Sequence, residues 1–544
     1  MKPILELQEL TAGFQQNGEC IPALTSVSFS LNENEILGIV GETGSGKSVL
    51  ARAIMSLLPT NSRILNGDIR FRGRSLLNLK PAEYRKIRGS QIALIATNAK
   101  SLLDPVERVG NQIARVLRQH RQVSRRDARQ AAIDLLAEVG IQDPAHRAES
   151  YPHQLSGGMA QRVVIAMALV AQPQILLADD ATLGLDATVQ VQVLDMMVDR
   201  CRKLGLSVIL ITHDLGVVAH YCDRVAIMRD GLIIELKPVA GFLAAPEVQY
   251  SQELLQAAKS KDTEAEPSNF EILGSSRRSA CILAVQRLTK TFSTPTSNRV
   301  VRAVDDVSFA IDRGETMALV GESGSGKTTI GQCLVRLLIP DSGKIIFDDQ
   351  EVTDRTESRF RPLRRRIQIV FQEPYLALNP RWRVFDLIAE PLRLLQYGDR
   401  KKITARVYAV LEMVKLPSSL IKAYPNELTA GEQKRLGIAR ALATEPDLVI
   451  FDEPTTALDI RVRAQIIQLV RDLQAETGLS ALYITHDLNS VRSLAHRVAV
   501  MHRGRIVETG PTSRVFSQPE QSYTKTLLSA ELPIEGPAGA EVAH

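Results

Sequence analysis

The chain has 544 residues, 44% hydrophobic and 23% charged, an ordinary globular mixture too long for one core and too apolar for a disordered polymer. Sixty-six basic against 61 acidic residues leave a net charge of +5, too weak a surplus to point to nucleic acid, and the lone Trp382 argues against an aromatic stacking platform. Five scattered cysteines (Cys20, Cys201, Cys222, Cys281, Cys333) form no C-x-x-C pair, which favours reduced thiols over disulfides or metal clusters. No apolar run approaches the roughly 18 residues of a membrane span, and the acids among the first ten residues do not fit a signal peptide.

In chain order, Ile4-Leu-Glu-Leu-Gln-Glu-Leu-Thr-Ala-Gly-Phe14 comes first. Ile36-Leu-Gly-Ile-Val40, an apolar run of buried-strand length, leads into Gly41-Glu-Thr-Gly-Ser-Gly-Lys-Ser48. Gly41, Gly44 and Gly46 let backbone N–H groups approach an anion, and the helix expected next adds its positive end. Lys47 would reach β- and γ-phosphates, and Ser48 would offer a hydroxyl to Mg²⁺. Leu155-Ser156-Gly157-Gly158 offers a hydroxyl and free N–H groups at a helix start. Ile175-Leu-Leu-Ala178 is a strand ending in Asp179 and Asp180, and Val208-Ile-Leu-Ile211 is a strand ending near His213. Pro246-x-x-x-Tyr250-Ser-x-x-Leu-Leu255 closes this part, and the polar stretch 257–280, with Pro267 and Gly274, is a linker.

The same order then returns. Ile282 to Phe292 repeats Ile4 to Phe14, and Met317-Ala-Leu-Val320 leads into Gly321-Glu-Ser-Gly324-Ser-Gly326-Lys327-Thr328. Leu428-Thr429-Ala430-Gly431 repeats the Ser-Gly-Gly stretch, Leu448-Val-Ile-Phe451 ends in Asp452 and Glu453, and His486 repeats His213. Pro519-x-x-x-Tyr523-Thr-x-x-Leu-Leu528 repeats the closing pattern. A repeat this long is a duplicated domain, not a solenoid. The expected boundaries are 1–256 and 281–532, with a frayed Gly/Ala-rich tail over 533–544. Short strands alternating with helices, with polar residues at the strand ends, predict an α/β fold that binds its ligand there.

The order of phosphate loop, Ser-Gly-Gly signature, acidic strand end and histidine resembles the ATP-binding cassette (ABC) superfamily over nearly the whole chain, twice. The resemblance implies two tandem P-loop NTPase domains, each with a RecA-like α/β core, an antiparallel β subdomain and a helical subdomain. It implies that ATP and Mg²⁺ are bound, that the two cassettes close head to tail, and that each site is completed by the other cassette's signature. In the second cassette Thr328 would offer its hydroxyl to Mg²⁺, and the resemblance makes Asp452 a holder of Mg²⁺ through water, Glu453 the base or orienter for the attacking water, and His486 a contact for the γ-phosphate. Gln372, in Phe371-Gln-Glu-Pro374, resembles the glutamine that senses Mg²⁺ and couples to a membrane partner, and Phe292 is placed to stack on adenine.

The first cassette keeps Phe14, Lys47, Ser48, Asp179 and His213, but Thr97 stands at the glutamine position and Asp180 at the glutamate position. Aspartate is shorter by about 1.5 Å, against a general-base reach of about 2.6–3.2 Å, so water activation should suffer there while binding persists. In the second signature Thr429 keeps a hydroxyl and Gly431 its glycine, while Ala430 places a methyl where backbone and phosphate should meet. If the cassettes face each other, Thr97, Asp180 and Ala430 fall in one degenerate site. The other, hydrolytic site then combines Gln372, Asp452 and Glu453 with Ser156, Gly157 and Gly158.

Three functions compete: an importer ATPase, a twin-cassette factor acting on the ribosome, and a DNA-repair or chromosome ATPase. Ribosome factors typically read Asn-His-Leu-Asp where this chain has Leu183-Gly-Leu-Asp186 and Thr456-Ala-Leu-Asp459, and the chromosome class needs heptads or zinc modules absent from the sequence. Leu103-Asp-Pro105, Ala377-Leu-Asn-Pro-Arg381 and the two Pro-x-x-x-Tyr tails resemble the oligopeptide, dipeptide, nickel and opine importer ATPases. That resemblance implies a peripheral protein on the cytoplasmic face of the inner membrane. Its partners would be two transmembrane permease subunits and, through them, a periplasmic solute-binding protein; no nucleic acid is expected. Coupling through the first cassette would be weaker at Thr97 or rely on Asn98.

Overall fold

The computed structural model describes residues 3–16, 19–97, 99–259, 281–293, 300–456, 458–532 and 534. Asn98, most of the expected linker and nearly all of the tail lie outside them. The chain divides into two compact units, one built on Met1–Ser260 and the other on Lys261–Glu531.

In the first unit a six-stranded sheet runs in the order Leu232–Pro238, Arg224–Arg229, Ile36–Gly41, Ser207–Ile211, Ile175–Asp179, Ile92–Ile95. Its pairings are parallel except for the outermost strand, Leu232–Pro238, which runs antiparallel to Arg224–Arg229. A separate four-stranded antiparallel sheet is led by Pro3–Gln16 and Glu19–Asn32. The second unit repeats both sheets, its larger one ordered Ile367–Val370, Leu448–Asp452, Ser480–Thr485, Thr316–Val320, Arg497–His502, Arg505–Pro511. This is the mixed α/β architecture the strand pattern predicts. The five strands expected from short apolar runs are all present, each within a residue of its expected start and end.

Period-two side-chain geometry explains why these strands are apolar throughout. Ile175 and Leu177 face the core shared with the antiparallel sheet, while Leu176 and Ala178 face the helices. The second unit repeats the division with Leu448 and Ile450 on one side and Val449 and Phe451 on the other. A strand buried on both faces has polar side chains only at its ends, which is where both acidic pairs stand.

The helical part of the first unit packs Val109–His120, Arg125–Glu138 and Gly157–Leu169 around Ile113, Leu117, Ala132 and Leu136. In the second unit Val384–Leu394, Arg400–Met413 and Ala430–Leu442 do the same. One boundary differs from expectation. Helix Gln249–Lys259 runs three residues into the stretch read as linker, because Ala258 is buried at 1% exposure and completes the apolar face begun by Leu254 and Leu255. The five cysteines are unbridged, and Cys201 and Cys333 are buried. Among the described residues, no helix is long and apolar enough to cross a membrane.

Candidate functional site

Each phosphate loop joins the end of a central parallel strand to a helix, Lys47–Ile54 in the first unit and Lys327–Leu334 in the second. The residues at the two turns, Gly46 and Gly326, have φ of +101° and +106°. A Cβ there would lie 2.6 Å from the Ala23 carbonyl oxygen and 2.0 Å from that of Ala303, so only glycine closes either turn. At Gly44 and Gly324 nothing lies within 4 Å of a built Cβ, which makes this the open side of the cradle.

The lysines are buried against their own loops. Lys47 Nζ donates to the carbonyls of Gly41 (2.8 Å) and Glu42 (2.7 Å), and Lys327 Nζ to those of Gly321 and Glu322 (2.7 Å each). Across each loop a hydroxyl meets the strand-end aspartate: Ser48 Oγ to Asp179 Oδ1 at 3.1 Å and Thr328 Oγ1 to Asp452 Oδ1 at 3.0 Å. Burial pushes the Asp179 carboxyl up and that of Asp452 to about 6, with the neighbouring Asp180 or Glu453 adding to the effect. An all-oxygen pair, one carboxylate poorly solvated, suits a hard divalent cation that completes its shell with phosphate and water. The donor set therefore fits Mg²⁺.

The catalytic sides differ. In the second cassette Glu453 Oε2 accepts from Gln372 Nε2 at 2.9 Å and from Thr456 Oγ1 at 2.9 Å, and Oε1 lies 3.1 Å from His486 Nδ1. Burial would raise this carboxyl, but the His486 and Thr456 hydrogen bonds and the nearby positive charge outweigh it and hold it below the usual range. The group is thus kept ionised and able to accept a proton or orient water. In the first cassette Asp180 Oδ1 lies 3.2 Å from His213 Nδ1. Among the described residues Thr97 makes no hydrogen bond to Asp180, and Leu183 occupies the place of Thr456. Asp180 and Glu453 share one backbone conformation, φ 46° and 47°, so the strand end that presents the acid is the same in both.

Ser156 and Thr429 stand at the helix starts and cap the signature helices, accepting from the N–H groups of Met159 and Glu432, each at 3.3 Å. The glycines behind them have different tasks. A Cβ at Gly158 or Gly431 would lie 2.6 or 2.7 Å from Val189 or Val462 Cγ1, whereas one at Gly157 would meet only Leu185 Cδ2, at an ordinary 3.7 Å. Folding of the cassette therefore accommodates Ala430. At Thr429 the Glu432 carboxylate also closes a capping box, accepting from both Thr429 N and Oγ1 at 2.8 Å. Phe292 is 42% exposed, so it is not a core side chain, and Lys290 Nζ lies 5.9 Å from its ring centroid; Phe14 is half-buried.

Two contacts were not anticipated from sequence. Thr456 holds the Glu453 carboxylate, and its signal was the Thr456/Leu183 difference between aligned copies. Lys434, 7% exposed, donates to the Gln372 carbonyl and, at 3.5 Å, to that of Glu453, where the first cassette has Gln161.

Two phosphate loops, each with a hydroxyl–carboxylate pair that fits a divalent cation and each beside an acid and a histidine, mark a nucleotide-binding ATPase with two cassettes. The chain belongs to the ABC transporter family, whose model matches residues 24–183 and 304–456. It is similar to the peptidoglycan transport ATP-binding protein YejF of Agrobacterium fabrum, 39% identical over 541 residues, with 98% of this chain and 97% of the relative covered. It is also similar to the glutathione import ATP-binding protein GsiA of Escherichia coli K12, 40% identical over 566 residues, covering 98% and 90%. An uncharacterized ABC transporter ATP-binding protein of the same strain, also YejF, is 39% identical over 538 residues, covering 97% and 99%. The protein is thus an ABC ATPase with two fused cassettes that binds and hydrolyses ATP.

Proposed function

We propose that this chain energises import of peptides or peptide-like solutes across the inner membrane, with one hydrolytic and one degenerate ATP site. The functions in its relatives' names, peptidoglycan transport and glutathione import, both concern solutes with amide-linked amino acids and support that substrate class. The protein works at the cytoplasmic face with two permease subunits, to which a solute-binding protein delivers the cargo. A groove of about 450 Å³ beside Gln372 supports the permease contact. Phe371, Pro374, Leu378 and Leu394 line it together with Arg361 and Arg364, a mixture suited to a short amphipathic helix.

The observation that carries the asymmetry is the holding of Glu453 by Gln372, Thr456 and His486, set against an Asp180 side chain that, among the described residues, meets only His213. When bound, Mg²⁺ supplies charge neutralisation for the phosphates, at the oxygens of Thr328 and Asp452 or of Ser48 and Asp179. Lys327 turns from its loop carbonyls to the phosphates, Gln372 orients water, Glu453 takes its proton, and His486 steadies the charge on the transferred group. Asp180, its side chain one C–C bond shorter by about 1.5 Å, reaches less far toward the same water, so the first cassette mainly holds nucleotide.

The test is phosphate release by the full chain. Glu453→Gln should lower turnover by about 10²-fold or more, while Asp180→Asn changes it by less than about twofold. Equal losses in the two variants would defeat the asymmetric reading.

A further inference from the structure

The signature helix of the second cassette, Ala430–Leu442, carries a buried ammonium that the steps above leave unused. Lys434 Nζ donates to two backbone carbonyls, those of Gln372 and Glu453. These belong to the same two residues whose side chains meet at 2.9 Å, Nε2 on Oε2. One cation thus ties both members of the water-handling pair, through the main chain, to a helix of the other subdomain.

The position is costly to fill this way. An ammonium has three donors and no acceptor, so burial demands carbonyl or carboxylate partners. Burial indeed pulls Lys434 down to about 8, against the favourable charges of Glu453, Glu373 and Asp452. The first cassette shows that the fold does not need the charge. There the equivalent helix, Gly157–Leu169, has Gln161, 5% exposed, with an Nε2 that has no hydrogen-bond partner among the described residues. The cassette with glutamate and glutamine has the tie, and the cassette with Asp180 and Thr97 does not.

We propose that Lys434 is a positioning residue for ATP hydrolysis, fixing the Gln372 and Glu453 backbones to the signature helix of their own cassette so that the carboxylate is held in register and moves with that helix. The proposal rests on the reading of Glu453 as the base.

Full-length K434M, K434Q, K434R and E453Q chains are compared for phosphate release over a range of ATP concentrations, for binding of a fluorescent ATP analogue, and for Tm. K434M and K434Q should lose about tenfold or more in kcat, the scale expected for displacing a catalytic group by a fraction of an ångström. KM and analogue affinity should stay within about twofold. K434R, which keeps charge and donors, should recover most of the loss. Wild-type kcat in K434M with E453Q inactive would overturn the proposal alone. So would an equal loss in K434M and K434R accompanied by a lowered Tm, because that signals packing only. Turnover retained in E453Q would instead remove the base itself, and the proposal would fall with it.

Discussion

Adjacent glycines in the first signature have different obligations. Gly158 is pressed against Val189 at a distance no Cβ tolerates, while Gly157 has ordinary room. Gly158→Ala should therefore cost about 1–3 kcal/mol through overpacking, and Gly157→Ala should leave Tm nearly unchanged while weakening any contact the open N–H groups make with phosphate. Thermal melts with and without ATP separate the two effects. The residues of the phosphate loops were legible in the sequence because their meaning is local: eight consecutive positions fix the turn, the lysine and the hydroxyl. Lys434 was not, since its partner Gln372 lies 62 positions away and a lysine early in a helix ordinarily reads as surface. What could have exposed it was the copy-to-copy difference, Lys434 against Gln161, at a position buried in both.

Among the elements, strands were the most legible because an apolar run bounded by glycine or acid allows little else. The attachment of the closing helices was not. Each follows a Pro-x-x-x-Tyr pattern, and Leu254, Leu255 and Leu527 are buried. What seats each helix, however, is a carboxylate from the preceding edge strand. Glu235 accepts from Glu247 N at 2.9 Å and Val248 N at 3.4 Å, and Glu508 from Glu520 N at 2.9 Å and Gln521 N at 3.1 Å. Burial would raise both carboxyls, but these N–H groups, with the Ser251 or Thr524 hydroxyl, hold them below the glutamate value of 4.5. A depressed carboxyl stabilises the fold above its unfolded value and ceases to do so as pH falls through the folded one. Glu508→Ala should accordingly cost about 1 kcal/mol at neutral pH, the usual size of a lost helix cap. The Tm gap between wild type and variant should close as the pH is lowered beyond 4.5.

For the whole molecule, both sheets and the phosphate-loop, signature and closing helices occur in each unit, which is why the repeat is legible in the sequence from one end to the other. The function attached to that architecture is checked most directly by assembly. The tagged chain should copurify from detergent-solubilised membranes with two permease polypeptides, and Leu394→Glu, which puts a charge into the groove beside Gln372, should reduce their recovery without changing the basal ATPase rate. Recovery of ribosomes instead would favour the soluble-factor function.

The left-handed bend that presents the acid survives in both copies, at Asp180 as at Glu453. If the first cassette holds nucleotide without cleaving it, as proposed, the bracket for the acid is still intact there and few side chains stand between it and turnover. A chain carrying Asp180→Glu, Thr97→Gln and Leu183→Thr together should then show measurable turnover in an E453Q background, which would place the difference between the cassettes in these side chains and not in the scaffold that carries them.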